Sequence, residues 1–144
     1  MAQDLVKEFF ELGRILAKFQ AIDLTLKIFI ARNKYETDTS KDILLKNYST
    51  LELDRYSLGM SLDGIKKFNL INNEELLIQL TSLKNHRNFV AHKGFLMVSN
   101  LPDSDKEFFL GSETNTLDYQ ELNDKLDELI ELLTKEYYKT YSIT

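Results

Sequence analysis

The chain has 144 residues, enough to bury one core, and its 43% hydrophobic and 28% charged residues disfavour long disorder, collagen-like repeats and membrane spanning. Eighteen Lys and Arg against 23 Asp and Glu leave a formal net charge of -5, which repels a polyanion at long range and confines any nucleic-acid contact to a local patch. The absence of cysteine removes disulfides, thiolate zinc sites and a cysteine nucleophile. Five Gly and one Pro set against nine Phe and seven Tyr are too little punctuation for a sandwich or barrel, so the expectation is an all-α domain. The opening MAQDLVKEFFELGR carries charges throughout and reads as neither a signal peptide nor a membrane anchor. The expected location is therefore the cytoplasm.

Along the chain, Leu5, Phe9, Leu12, Leu16, Phe19, Leu26 and Ile30 recur at three- and four-residue steps and predict one long amphipathic helix over 1–32. The polar stretch Asn33 to Ser40 reads as a loop ending in an N-cap, followed by a short helix at about 41–47. Leu58, Leu62 and Ile65 keep helical spacing within 56–68, weakened by Gly59 and Gly64. Asn72 with Glu75 forms a capping-box pattern and Ile71 with Leu76 a hydrophobic staple, so a helix is predicted from 73 through Leu76, Leu80, Leu83 and His92, with a break near Gly94. Ser99 to Asp105 reads as a turn whose flanks, 95–98 and 108–110, have the character of a small β-hairpin. Asp118 and Glu121 repeat the capping box, Leu117 and Leu122 the staple, and Leu122, Leu126, Leu129, Ile130, Leu133 and Tyr137 mark a last helix over 119–140. With no repeat or linker, the whole of 1–144 reads as a single domain, a bundle of four to five helices.

Two charges interrupt the apolar pattern. At about 100° per residue, Arg87 falls near the middle of the Leu76, Leu80, Leu83, Val90 and Val98 stripe, and Asp23 falls on the line of Leu5, Leu12, Leu16 and Ile30. An unpaired buried charge is costly, so the sequence predicts an ion pair between Asp23 and Arg87 across the bundle. An ion pair that only fixes helix register, or an arginine whose head reaches solvent, accounts for the same pattern without chemistry. Lys84, Asn88 and His92 add a polar ridge at four-residue steps beside the arginine, and both histidines of the chain, His86 and His92, lie in this segment.

The string His86-Arg87-Asn88-Phe89-Val90-Ala91-His92 resembles the R-x4-6-H signature of HEPN domains, with the polar residue that often follows the Arg. Gly13 through Asp23 is similar to the Gly, aromatic and acidic pattern of that family's first helix, and Ser57-Leu58-Gly59 to its Thr/Ser-Leu-Gly segment. The resemblance implies a four- or five-helix bundle that forms a homodimer through the motif-bearing face. It often implies a metal-independent endoribonuclease acting in toxin-antitoxin or antiviral defence, with an antitoxin or other system component as a further partner. Arg87 and His92 are then the catalytic pair, Asn88 and Asp23 support them, and Lys84, His86 and Lys93 face the RNA. Metal-free cleavage needs a base for the 2'-hydroxyl proton, an acid for the departing 5'-oxygen and a cation for the charged phosphorane, which two imidazoles and a guanidinium supply. One chain offers one His92 and a two-fold pair offers two. Two positions after His92 stands Gly94, where one branch of the family carries a tyrosine that a partner nucleotidyltransferase modifies, so that form of inhibition is not implied. His86 is a second candidate for the substrate contact, although the motif spacing favours His92. A non-catalytic module that binds RNA, a nucleotide or a partner protein in the same groove is the rival reading.

No metal-ligand spacing, phosphate-binding glycine loop or nucleophile elbow is present, so neither a metal nor a cofactor is expected. Tyr137, Tyr138 and Tyr141 read as core-closing aromatics ahead of base-stacking ones. Asp124, Asp127, Glu128 and Glu131 read as the solvated face of the last helix.

Overall fold

The computed structural model describes residues 2–38, 56–98, 102–105 and 119–141, with side chains over 6–33, 56–91, 102–105 and 119–141. Four helices make up the described core: α1 (Ala2–Asp38), α2 (Leu58–Lys67), α3 (Glu74–Val98) and α4 (Tyr119–Thr140). The fold is all-α, and α1 packs on each of the other three helices. No helix among the described residues is long and apolar enough to cross a membrane.

Between Gly13 and Gly59 the sequence contains neither glycine nor proline, so nothing ends α1 at the polar run. The helix continues to Asp38, six residues beyond its predicted end. Its core face also differs from the predicted one. Ile15, Phe19, Ile22, Leu26 and Phe29 are buried, whereas Phe9 and Leu16 are exposed. Both faces of α1 are apolar, and spacing alone cannot say which of two apolar faces turns inward.

The start of α2 is set by Ser57, whose hydroxyl oxygen accepts from the Met60 N–H at 3.2 Å. It ends in a left-handed turn at Asn69 (φ 51), with the Asn69 N–H donating to the Lys66 carbonyl and the Leu70 N–H to the Ile65 carbonyl. This pair of bonds satisfies the last carbonyls of the helix and reverses the chain toward α3. The cap of α3 is Asn73, one residue later than predicted, and its side chain accepts from the Leu76 N–H at 3.1 Å. Glu74 and Glu75 then occupy the first turn, where the helix dipole favours negative charge.

The predicted hairpin is not formed by its first arm, because residues 95–98 are the last turn of α3. An isolated glycine costs a helix about 1 kcal/mol relative to alanine, too little for Gly94 to break one of 25 residues. Pro102 to Asp105 make one helical turn, closed by the Asp105 N–H on the Pro102 carbonyl at 3.0 Å. The helix predicted at 41–47, the second hairpin arm at 108–110 and the cap at Asp118 lie outside the described residues.

The last helix spans the predicted 119–140, with Leu122, Leu126, Leu129 and Leu133 buried. They meet Leu76, Leu80, Leu83 and Val90 of α3 and the buried face of α1 in one core. Tyr137 and Tyr141 close that core around Phe29, at ring-centroid distances of 5.5 and 5.7 Å. The acidic face of α4 is partly engaged: Asp127 pairs with Lys18 of α1 at 2.7 Å and Glu131 with Lys135 at 3.2 Å.

Candidate functional site

Where α3 passes the middle of α1 and the start of α2, the helices leave a cleft of about 170 Å³. Leu16, Phe19, Gln20 and Asp23 line it from α1, Tyr56 and Leu58 from the α2 side, and Arg87 and Ala91 from α3. The structure therefore brings Asp23 and Arg87 to one cavity, as the stripe arithmetic predicts. It does not pair them.

Asp23 is engaged elsewhere. One carboxylate oxygen lies 2.8 Å from the Lys27 ammonium, one helical turn on, and the other accepts from the Ser61 hydroxyl of α2 at 3.3 Å. An acid four residues ahead of a lysine is the favourable order on a helix. Lys27 is 5% exposed and Ser61 fully buried, so Asp23 and Lys27 form a buried ion pair within α1 that is braced by α2. The predicted pairing overlooked Lys27, which follows Asp23 by only four residues and competes without any loop-closure cost.

Arg87 is exposed. It stands on the same helical stripe as Leu80, Leu83 and Val90, but the cleft leaves room for its long side chain to carry the head to solvent. Its guanidinium makes no ion pair with any described residue. That is what a phosphate-binding arginine needs, since among the described residues its planar fork of donors is uncommitted.

Lys84 and Asn88 are exposed on the same side of α3. A Cβ added to Gly59 would come within 3.0 Å of the Lys84 Cε and 3.3 Å of its Nζ, so the lysine stem lies across the first turn of α2 at the glycine. Two basic side chains, Lys84 and Arg87, are thus one turn apart beside the cleft. His92 and Lys93 continue α3 beyond Ala91, and their side chains lie outside the described residues.

His86 does not line this cleft. It is half-buried on the flank of α3 that faces α4, where burial first and the charge of Lys125 second hold its imidazole below the ordinary value of 6.5. The folded protein therefore binds the His86 proton less readily than the unfolded chain. Its contribution to stability is fully present above 6.5 and is lost as pH falls below that value toward the folded pKa. Urea unfolding at about pH 7.5 and about pH 5.5 should show His86→Gln losing less stability on acidification than the parent chain. Equal losses in the two proteins would remove His86 as the source.

Gln20 and Tyr56 join the cleft although the sequence reading did not select them. Gln20 breaks the outer apolar face of α1 one turn after Leu16, and Tyr56 immediately precedes the Ser57 cap; either position could have drawn attention. Among the described residues, no group of three or more His, Asp or Glu side chains gathers at metal-binding distance. No known protein-family model, curated protein or solved structure matches the chain.

Proposed function

We propose that the chain is a metal-independent endoribonuclease of HEPN type, acting as a homodimer in a toxin or defence system with an RNA substrate. The observation that carries this reading is Arg87: a guanidinium with no carboxylate partner among the described residues, held on the core-directed stripe of a helix and opening onto a cleft, in a protein of net charge -5. Lys84 one turn earlier adds a second cation, and Lys93 a third on the same helix. An acidic surface with a local basic ridge selects a short phosphate-bearing segment over indiscriminate coating of a polyanion.

In the proposed reaction the 2'-oxygen attacks the adjacent phosphorus while one His92 imidazole takes its proton. The bond from phosphorus to the 5'-oxygen breaks, and that oxygen receives a proton from the imidazolium of the second subunit's His92. The products are a 2',3'-cyclic phosphate and a free 5'-hydroxyl. Arg87 holds the non-bridging oxygens as negative charge accumulates, and Asn88 orients the phosphate or the imidazole. Asp23 supports the site indirectly, through the wall it shares with Arg87 and its hold on Lys27 and Ser61. A cleft of about 170 Å³ is smaller than the 300–1,000 Å³ of a typical small-molecule pocket, which accords with a half-site.

The test is incubation of the purified protein with RNA in EDTA beside Arg87→Ala and His92→Ala. The expected result is cleavage by the parent chain and a rate lower by roughly 100-fold or more in each variant, with helical circular dichroism retained. No cleavage, or cleavage untouched by either change, rejects the nuclease. RNA or nucleotide binding lost in Arg87→Ala would then identify the same cleft as a binding module.

A further inference from the structure

The cleft beside Arg87 has the size of a seat for one small ring. Its lining is mainly apolar, with Leu16 and Phe19 from α1, Leu58 from the start of α2 and Ala91 from α3, joined by the half-buried ring of Tyr56. Phe19 and Leu58 are buried and lie at its depth, whereas Leu16 and Ala91 are exposed on its two helical walls. The volume of about 170 Å³ is close to that of an apolar cavity of about 150 Å³ that takes up benzene. A purine has nine ring atoms where a pyrimidine has six, and in proportion needs on the order of 225 Å³. The cleft therefore admits a six-membered ring and excludes a fused pair.

The polar groups in the cleft divide by what already holds them. Asp23 is engaged by Lys27 and Ser61. The Gln20 amide has no hydrogen-bond partner among the described residues. An amide sets a donor beside an acceptor, which complements the Watson–Crick edge of a pyrimidine. Uracil offers a carbonyl next to a ring N–H, and cytosine a ring nitrogen next to an amino group, so turning the amide over suits either base. Arg87 carries its guanidinium to solvent from the α3 wall, and the stem of Lys84 lies against Gly59, the neighbour of the cleft-lining Leu58. A mainly apolar cleft with an amide inside and two cations at its border matches an uncharged ring that bears an anionic group nearby.

We infer that the cleft is a pyrimidine-selective base site: one uracil or cytosine ring sits between α1 and α3, its Watson–Crick edge on the Gln20 amide and its flanking phosphate on Arg87. Phe19 and Tyr56 supply the aromatic surface against which an unstacked base is stabilised. The site holds one base of a longer strand, and the remainder of the substrate lies outside it. This inference deepens the nuclease proposal and rests on its assignment of Arg87 to phosphate, but it does not require that the phosphate be cut. In an RNA that is cut, a pyrimidine then flanks the broken bond on one fixed side.

The test separates binding from cleavage. End-labelled hexamers of 2'-deoxyuridine, 2'-deoxycytidine or 2'-deoxyadenosine lack the attacking hydroxyl, and their binding is read by fluorescence anisotropy. The uridine and cytidine hexamers are expected to bind more tightly than the adenosine hexamer by roughly 10-fold or more. Gln20→Leu should weaken the two pyrimidine hexamers by roughly 10-fold and leave the adenosine hexamer little changed. Leu16→Ala removes three carbon atoms from the wall, as many as the ring atoms a purine has in excess, and should admit adenine and erase the preference. Both side chains are exposed, so helical circular dichroism should be retained. Arg87→Ala should weaken all three hexamers alike, as loss of a phosphate contact does. Equal binding of the three hexamers, no binding of any, or a preference that survives both Gln20→Leu and Leu16→Ala overturns the inference. Pyrimidine-selective binding without cleavage of RNA keeps the base site and removes the nuclease. Cleavage of RNA with no pyrimidine bias at the mapped cuts keeps the nuclease and removes the base site.

Discussion

Replacing Asp23 with alanine is expected to lower the unfolding free energy by about 3 kcal/mol, because it strands a buried ammonium. Lys27 is 5% exposed, and its charge is balanced by the Asp23 carboxylate at 2.8 Å. Removing the acid also takes the acceptor from the Ser61 hydroxyl, which is wholly buried in α2. Asp23 itself is one-quarter exposed, which keeps the cost near the low end of what breaking a buried pair entails. Lys27→Met should be much milder, since the thioether chain fills the same space without a charge. Combined with Asp23→Ala it should restore most of the loss, giving a coupling of about 2 kcal/mol in a double-mutant cycle measured by urea unfolding. Arg87→Ala should change stability by less than about 0.5 kcal/mol. Strong coupling of Asp23 to Arg87, with none to Lys27, would replace this account with an ion pair across the bundle.

The second large effect is expected at Phe29. Its ring is fully buried where α1 meets the end of α4, edge-on to Tyr137 and tilted against Tyr141. Arg32, one turn along α1, lies over both tyrosine rings at 5.8 and 5.0 Å, and the Tyr141 hydroxyl donates to the Phe29 carbonyl at 3.3 Å. Phe29→Ala removes the ring that the other members pack around, and the predicted loss is about 4 kcal/mol by denaturant unfolding. Tyr141→Phe keeps the ring and removes one hydrogen bond, for about 1 kcal/mol. A Phe29→Ala loss below about 2 kcal/mol would mean that α4 re-packs onto α1 and that the cluster is not a fixed joint. Tyr137 and Tyr141 are thus legible as core-closing residues from their place at the end of an amphipathic helix, whereas Tyr138, read with them, is 54% exposed.

Other elements were legible to different degrees, for physical reasons. The final helix carries one apolar stripe and one polar face, so its limits and buried leucines follow from spacing. Ser57 ahead of Leu58 marks the start of α2 through its hydroxyl. By contrast, α1 has apolar residues on two faces, and periodicity could not separate Ile15, Ile22 and Phe29, which are buried, from Phe9 and Leu16, which are not. Of the two cleft charges, the stripe arithmetic brought both to the wall of one cavity, although the α1 line it used, through Leu16, is not the buried face. It could not see that an arginine side chain is long enough to leave the core, or that Lys27 lies nearer to Asp23 than any residue of α3. The hairpin failed because four apolar residues after a glycine have no periodicity of their own and extend whatever helix precedes them.

Since α1 touches each of the other three described helices, it cannot loosen while they stay assembled, and the described core should melt as one cooperative unit. Anything seated on its outer surface then props up the entire molecule by mass action. If the chain is the homodimer proposed above, a more concentrated solution should accordingly withstand more heat than a dilute one.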